Sequence, residues 1–257
     1  MKKLLILIIL FAIVIGCTKE SDKENETFLS GNGVFILNEG NFRWGNGSLS
    51  FYSFDSSKIY NDVFLNINSR PLGDVPNSMV INGDLGYIIV NNSGKIEVVN
   101  KNTLESKTTL TGLRSPRNMT IVSNSKAYIT SIYSDSLTIL NLADNSISGY
   151  INIRRSSESV VVSGTKAFIS NWVGGDEILV VNIADNKLVD SVKVGVEPES
   201  MVLDKNKMLW VLCNGGWTRT NFAELNVINT ATNIVVKKIR IVRKRLLLSL
   251  IKKSPQK

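Results

Sequence analysis

The chain has 257 residues, of which 43% are apolar and 20% are charged, a globular composition with enough apolar residues for a sizeable core. Its formal net charge is +8, but nine of the 30 Lys and Arg residues lie from Lys237 onward, where the sequence has no Asp or Glu. Residues 1–236 therefore carry 21 basic against 22 acidic side chains. Nucleic-acid-binding domains spread basic residues over a docking face, so this near-neutral body argues against a nucleic-acid partner.

The first predicted element is an export signal in residues 1–17. A basic start precedes an unbroken apolar run from Leu4 to Ile15, which is shorter than the roughly 17–25 residues of a membrane-crossing helix. The run ends in Val-Ile-Gly-Cys, which resembles a bacterial lipobox, where the cysteine is acylated and becomes the mature N-terminus. The alternative is a buried strand with an incidental cysteine. We expect residues 1–17 to be a lipoprotein signal peptide and Cys17 to be the lipidation site.

A tether is predicted in residues 18–32. The segment from Thr18 to Glu26 is polar and acidic and has no apolar side chain to bury, which is typical of disorder. An acidic stretch behind a lipidated cysteine also resembles the signal by which some Gram-negative lineages place lipoproteins on the outer cell surface. This resemblance implies an outer-membrane, lipid-anchored protein exposed at the cell surface, with the periplasmic face as the alternative.

The body repeats about every forty residues. Each repeat opens with a segment similar to Pro-x-x-Met, and the fourth positions of these segments, at 79, 119, 160 and 201, are 40, 41 and 41 residues apart. Three further runs follow in each repeat, rich in Val, Ile and aromatic residues and separated by Asn, Asp or Gly, which is the pattern of strands and turns. No helical periodicity of useful length appears between Phe28 and Lys238.

Four strands in a period of about forty residues indicate a β-propeller blade, because one sheet cannot bury both of its faces alone. We predict an all-β propeller over residues 33–238, with four full repeats beginning near 76, 116, 157 and 198. A partial unit from about residue 34 lacks its first strand. Residues 239–257 form a basic tail out of register with the repeat. It is either a basic amphipathic segment that contacts anionic lipid or the end of a truncated or frame-shifted chain.

Two resemblances add to this pattern. Tyr128–Thr130, Val181–Ala184 and Val194–Pro198 are similar to the YVTN-type repeat of surface-layer and YncE-like propellers, which usually close with about seven blades, whereas five blade equivalents fit here. Phe35–Phe42, Pro71–Val75 and Asn77–Val80 resemble segments of outer-membrane propeller lipoproteins that sit over TonB-dependent transporters. That group includes the family that captures cobalamin. The resemblance implies a TonB-dependent transporter as partner and a corrinoid as one option for the ligand.

One face of the predicted propeller collects the candidate binding residues. Because strands alternate in direction, the loops after the second and after the fourth strand of each blade emerge at the same end. Aromatic, Arg and Asn side chains around one mouth indicate a binding surface, although each Trp could instead fold over its own blade edge. The candidate ligand-binding residues are Asn38, Asn41, Phe42, Arg43, Trp44, Arg117, Tyr133, Arg154, Trp172, Asp176, Trp217 and Arg219.

The sequence offers little for catalysis. It contains no histidine, so a Ser-His-Asp triad and a His-ligated zinc are excluded, and the adjacent acids Asp176 and Glu177 are typical of a solvated turn. We predict no catalytic residue, no metal and no cofactor. The first functional hypothesis is a surface lipoprotein that captures a ligand for a transporter. The alternatives are a propeller hydrolase or lyase and a protein-interaction scaffold without a small ligand.

Overall fold

The computed structural model describes residues 32–171, 173–218 and 220–241. Within them the chain forms five antiparallel sheets, each built from strands consecutive in sequence. The first sheet has three strands and the other four have four strands each. This confirms the predicted all-β repeat and the three-stranded first unit. The predicted signal peptide with Cys17, nearly all of the tether and most of the tail lie outside the described residues.

The strands follow the repeat closely. The first unit comprises β1 (Gly33–Asn38), β2 (Ser48–Ser53) and β3 (Lys58–Tyr60). The second comprises β4 (Pro76–Asn82), β5 (Leu85–Val90), β6 (Lys95–Asn100) and β7 (Ser106–Leu110). The third comprises β8 (Pro116–Ser123), β9 (Lys126–Ser131), β10 (Ser136–Asn141) and β11 (Ser146–Asn152). The fourth comprises β12 (Val160–Ser163), β13 (Lys166–Ile169), β14 (Glu177–Asn182) and β15 (Lys187–Lys193). The fifth comprises β16 (Pro198–Leu203), β17 (Met208–Cys213), β18 (Ala223–Asn229) and β19 (Ile234–Ile241).

The turn between the third and fourth strands is chemically the same in the last three units. Asn145, Asn186 and Asn233 occupy it with φ values of 56°, 58° and 57°. This left-handed conformation is unfavourable for most side chains but is tolerated by Asn, whose amide can form local hydrogen bonds. The repeated Asn therefore sets the turn that brings the outer strand back onto the sheet.

The apolar core lies between neighbouring sheets. Four clusters separate the five units, and each takes buried side chains from both of the units it joins. Between the second and third units, for example, Tyr87 and Ile89 pack with Ala127 and Ile129. The sheets thus bury their faces against one another, which is why a single repeat would not be stable alone.

The first strands of the full units lie side by side along the inner edge of the stack. Polar side chains join them across this edge. Asn77 donates from Nδ2 to the carbonyl of Arg117 at 2.7 Å, and Asn118 donates from Nδ2 to the carbonyl of Glu158 at 2.9 Å. These contacts join the second or third residue of one repeat to the second residue of the next repeat.

Three details differ from the sequence prediction. A helix, α1 (Val63–Asn68), lies between the first and second units, where none was predicted, because six residues are too few to show a helical period. The inner strand of the fourth unit begins at Val160 rather than near Ser157. The outer strand of the fifth unit is paired with β18 through Ile241, so the predicted blade end at residue 238 is three residues short. None of the helices in the described part of the chain is long and apolar enough to cross a membrane.

A buried ion pair anchors the linker that contains α1. The guanidinium of Arg70 donates twice to Glu97, at 2.8 Å to each oxygen, and Lys95 donates to the same carboxylate at 2.6 Å. The Glu97 side chain is fully buried. Burial alone raises its pKa, but the hydrogen bonds from Arg70, Lys95 and Thr109 outweigh burial and lower the pKa to about 2. Glu97 is therefore charged at neutral pH and holds the linker against the second unit.

Candidate functional site

Alternating strand direction gives the stack two chemically different ends. We call one end the aromatic face. It consists of the described residues of the loops after the second strands (39–47, 91–94, 132–135, 170–171, 173–176, 214–218 and 220–222) and of the linkers between units (61–75, 111–115, 153–159 and 194–197). The other end, which we call the opposite face, consists of the loops 54–57, 83–84, 101–105, 124–125, 142–145, 164–165, 183–186, 204–207 and 230–233.

Large apolar side chains stand exposed on the aromatic face. Trp217 is 87% exposed and Trp44 is 75% exposed, and Tyr133 is exposed between them along the chain. Phe42 and Phe222 are also exposed. Among the described loop residues of the opposite face, Phe54 is the one exposed aromatic side chain. The face predicted to bind is therefore the face that presents aromatic surface to solvent.

The loop 39–47 holds Phe42 and Trp44 in a fixed frame. The buried carboxylate of Asp74 accepts a hydrogen bond from the backbone N–H of Arg43 at 2.9 Å and one from the amide of Asn92 at 2.5 Å. The Arg43 guanidinium lies 5.2 Å from the ring centroid of Phe42. Since Asp74 belongs to the linker and Asn92 to the second unit, the loop of the first unit is tied to its neighbour.

The same loop is also closed on itself. Asn46 accepts from the backbone N–H of Asn41 at 2.8 Å, which closes the loop, and the backbone N–H of Gly47 ties its end to the linker by donating to the carbonyl of Gly73 at 2.9 Å. Gly40 has φ 72°, and a Cβ there would lie 2.4 Å from the Asn46 side chain, so the tight turn requires glycine. Asn38 points back to the sheet and donates to the hydroxyls of Ser48 and Ser50.

The predicted site residues Arg117 and Arg154 lie in different surroundings, because Arg117 is ion-paired whereas Arg154 is exposed. Arg117 forms a bidentate ion pair with Glu158, at 2.8 Å from Nε and 3.0 Å from Nη2, on the inner edge of the stack. This arginine therefore joins the third and fourth units. Arg154 is exposed and its backbone has φ 60°, held by hydrogen bonds from its N–H to Asp135 and Asn152.

A cleft of about 550 Å³ opens on the aromatic face between the fourth and fifth units. Its walls are the linker 194–197, the loop 220–222 and the outer strand β19. The loop lies against the linker because the N–H groups of Asn214 and Gly215 donate to the carbonyls of Glu197 and Val196, each at 3.1 Å. The lining residues are Asp176, Val194, Gly195, Val196, Thr220, Asn221, Phe222, Glu224, Lys238 and Arg240.

The cleft combines one predicted site residue with several that the sequence analysis missed. Asp176 lines it and is paired with Lys193 at 2.5 Å. Arg240 also lines it, with its guanidinium 3.1 Å from the ring centroid of Phe222. Arg240 was missed because it was assigned to the tail beyond residue 238. Trp172 and Arg219, both predicted to bind, lie outside the described residues.

On the opposite face, polar side chains bridge neighbouring units. Tyr87 donates from its hydroxyl to Asn145 at 2.7 Å, and Tyr128 donates in the same way to Asn186 at 2.6 Å. In the next unit, Lys166 donates to Asn233 at 2.9 Å. Burial, together with the charge of Asp185, raises the pKa of Tyr128 to about 12, so its hydroxyl keeps its proton at neutral pH. The polar groups of these side chains are therefore used in hydrogen bonds that stabilise the fold.

The described residues show no catalytic arrangement. Cys213 is fully buried at the end of β17, and burial is the main cause that raises its pKa to about 11, so it is a protonated core residue. Within residues 32–171, 173–218 and 220–241, no three Asp, Glu or Cys side chains are grouped so that they could hold a metal ion. The surfaces that could serve a function include the exposed aromatic side chains and the cleft.

Four-stranded sheets stacked around their first strands, with the loops at two ends, define a β-propeller. Within that class the chain belongs to the family described as a domain of unknown function, DUF5074, whose profile matches residues 32–244. Comparison with curated proteins gave no significant match.

Solved structures confirm the class. The WD40 β-propeller domain of Doa1 has a TM-score of 0.60 at 10% identity and covers 86% of this chain and 67% of its own. A quinoprotein alcohol dehydrogenase-like protein from Bacteroides thetaiotaomicron has a TM-score of 0.60 at 14% identity, with coverages of 82% and 51%. The dihydro-heme d1 dehydrogenase NirN has a TM-score of 0.61 at 11% identity, with coverages of 82% and 46%. This chain thus spans about half the length of the latter two, and at such identities the likeness concerns the fold alone.

Proposed function

We propose that this chain is a binding protein that captures its ligand on the aromatic face. The observation that supports this is the exposure of Trp44 and Trp217 on loops whose backbones are held by hydrogen bonds to the neighbouring unit or linker. Exposed aromatic groups mark interaction surfaces, because removing them from water on binding is favourable. A loop that is already ordered loses little conformational entropy when it binds, so more of the contact energy appears as affinity.

We propose further that the protein is anchored in the outer membrane through a lipid on Cys17 and is exposed at the cell surface. The apolar run before this cysteine and the acidic segment after it support the anchor and its location. A lipid on a tether would leave the propeller free to turn its aromatic face toward a membrane partner. A Cys17→Ser variant that still fractionates with the outer membrane would contradict the anchor.

Cobalamin is the ligand to test first, with a TonB-dependent transporter as the receiving partner. The support is the resemblance of Phe35–Phe42 and Asn77–Val80 to segments of lipoproteins that capture this ligand. A corrinoid has flat faces on which aromatic rings can lie and amide groups that Asn and Arg can meet.

A protein-interaction scaffold is the second candidate. It is favoured by the spread of the exposed aromatic groups, since Phe42 and Trp44 are on the first unit and Trp217 is on the fifth. Such a spread suits a broad protein surface better than a single pocket.

The test is equilibrium dialysis of cyanocobalamin against the full-length protein in detergent, with Trp44→Ala, Trp217→Ala and Phe54→Ala as variants. We expect each Trp variant to bind about thirtyfold more weakly, since truncating an aromatic anchor commonly costs about 2 kcal/mol. Phe54→Ala removes an exposed aromatic side chain from the opposite face and should bind as the parent does. If the Trp variants bind as the parent does, the aromatic face is not the site of capture. If cyanocobalamin does not bind, and the protein cross-links to a transporter in a way that depends on Trp44, the scaffold function is favoured.

A further inference from the structure

Two cations project into the cleft between the fourth and fifth units. Lys238 and Arg240 are two residues apart on β19, so they lie on the same side of the strand, and both line the cleft. Their register partners on β18 are Asn226 and Glu224. Side chains two residues apart on a strand are separated by about 7 Å, which leaves room for a small charged group between their tips.

These cations differ from the other basic side chains near the cleft and the inner edge. Arg117, Arg155 and Lys193 each form an ion pair, with Glu158, Glu177 and Asp176 respectively. Neither Lys238 nor Arg240 forms a salt bridge with a carboxylate of the described residues. Because Asp176 is neutralised by Lys193, the cleft lining has two unpaired cations and one further carboxylate, that of Glu224.

The guanidinium of Arg240 is already positioned. Its central carbon lies 3.1 Å from the ring centroid of Phe222, which is itself in the loop that walls the cleft. Stacking on a ring occupies the face of a guanidinium and leaves its N–H edge free to donate. That edge is the part of arginine that binds planar carboxylates and phosphates with two hydrogen bonds.

Glu224 lies deeper in the same cleft. A Cβ on Gly195 would lie 3.1 Å from Glu224 Oε2 and 2.9 Å from the Cβ of Cys213, so this carboxylate sits against the linker beside the buried cysteine. It can accept a hydrogen bond from a ligand, but it repels an anion. The cleft therefore suits an anionic group flanked by a hydrogen-bond donor.

We propose that the cleft binds a phosphate or carboxylate group of the captured ligand through Lys238 and Arg240, while Glu224 accepts a hydrogen bond from an adjoining amide, hydroxyl or amine. The inference rests on the proposed function, since it assigns the polar part of a ligand whose apolar part contacts the exposed aromatic side chains.

The experiment is an NMR titration of the arginine Nε–H signals of the full-length protein in detergent. The probes are inorganic phosphate and, separately, acetate, each at constant ionic strength held by chloride. The Arg240 signal is assigned by its loss in Arg240→Lys. We expect a saturating shift of this signal with at least one probe, and at least about tenfold weaker binding of that probe in Lys238→Gln.

Two matched variants separate a site from general charge. Lys237→Gln removes the same charge from the neighbouring position on β19. Lys237 pairs with Val227 and lies on the side of the sheet opposite to Lys238. This variant should bind the probe within about twofold of the parent's affinity. Glu224→Gln removes the repelling carboxylate and should strengthen binding severalfold. A purely structural role for these residues would not produce opposite effects at Lys238 and Glu224.

The inference is overturned if neither probe gives a saturating shift, or if Lys237→Gln weakens binding as much as Lys238→Gln does. Such a result alongside weaker ligand capture by Trp44→Ala would remove the anion site and leave the proposed function standing. Anion binding in a protein whose Trp variants capture ligand normally would instead support the cleft and contradict the role of the exposed Trp side chains in capture.

Discussion

The two faces of this propeller use their side chains for different purposes. On the opposite face, Tyr87, Tyr128 and Lys166 reach across to turn residues of the next unit, so their polar groups are occupied within the fold. On the aromatic face, backbone hydrogen bonds also hold the linkers, such as those from Asn91 to Val75 and from Asn214 to Glu197. Backbone bonding there leaves large side chains free. A repeat protein can thus stabilise itself at one end and present variable side chains at the other.

The largest effect on stability should come from Glu97, a fully buried charge that secures the long linker of the aromatic face. Glu97→Gln should lower the free energy of unfolding at pH 7 by about 3 kcal/mol, which corresponds to the fall of the pKa from 4.5 to about 2. Because the folded pKa is lowered, this stabilisation is fully present above the unfolded pKa and is lost as the pH falls toward 2. Urea unfolding from pH 7 to pH 3 should show the parent and the variant converging.

The control for Glu97 is Glu105→Gln, which removes a carboxylate from an exposed pair with Lys107. It should change the stability by less than about 0.5 kcal/mol. A gap between the parent and Glu97→Gln that stays constant down to pH 3 would assign the loss to packing rather than to charge.

An intermediate effect is expected on the opposite face. Tyr128→Phe removes the hydroxyl that donates to Asn186 and should lower the free energy of unfolding by about 1 kcal/mol, without changing ligand affinity. Tyr150→Phe, at an exposed position on β11, is the matched control and should unfold as the parent does. Chemical denaturation together with ligand dialysis checks both. Weaker ligand binding by Tyr128→Phe would break the division of roles between the two faces.

The smallest effect on stability should follow from a large truncation on the aromatic face. Trp44→Ala should change the free energy of unfolding by no more than about 0.5 kcal/mol, because the side chain is 75% exposed. The same denaturation series measures it. A loss above about 1 kcal/mol would mean that Trp44 packs on the fold, and the aromatic face would then be structural as well.

The sequence predicted the repeat well because the repeat is local. Pro76, Pro116 and Pro198 begin inner strands at the predicted positions, and each is followed, after two intervening residues, by a short run rich in apolar side chains. The end of β19 was missed, because Lys237, Lys238 and Arg240 are exposed basic residues within the strand and interrupt the apolar signal that marked the other strands.

The candidate site was harder to predict because its contacts join different repeats. The exposure of Trp44 and Trp217 agrees with their positions in loops, which the strand pattern alone locates. The pairing of Arg117 with Glu158 spans 41 residues and depends on two inner strands lying side by side. The stacking of Arg240 on Phe222 depends on the C-terminal end of β19, which the sequence did not predict.

The bridges from Tyr87 to Asn145 and from Tyr128 to Asn186 also bear on how the protein fluctuates. The third unit receives the first of these bonds and donates the second, and it contributes to the apolar clusters on both of its sides. It can open only by separating two interfaces at once, so its free energy of opening contains two nearest-neighbour terms in addition to the intrinsic stability of the unit. Amide protons in β9 and β10 are therefore shielded by the neighbouring sheets as much as by their own, and their hydrogen exchange reports the cooperativity of the stack.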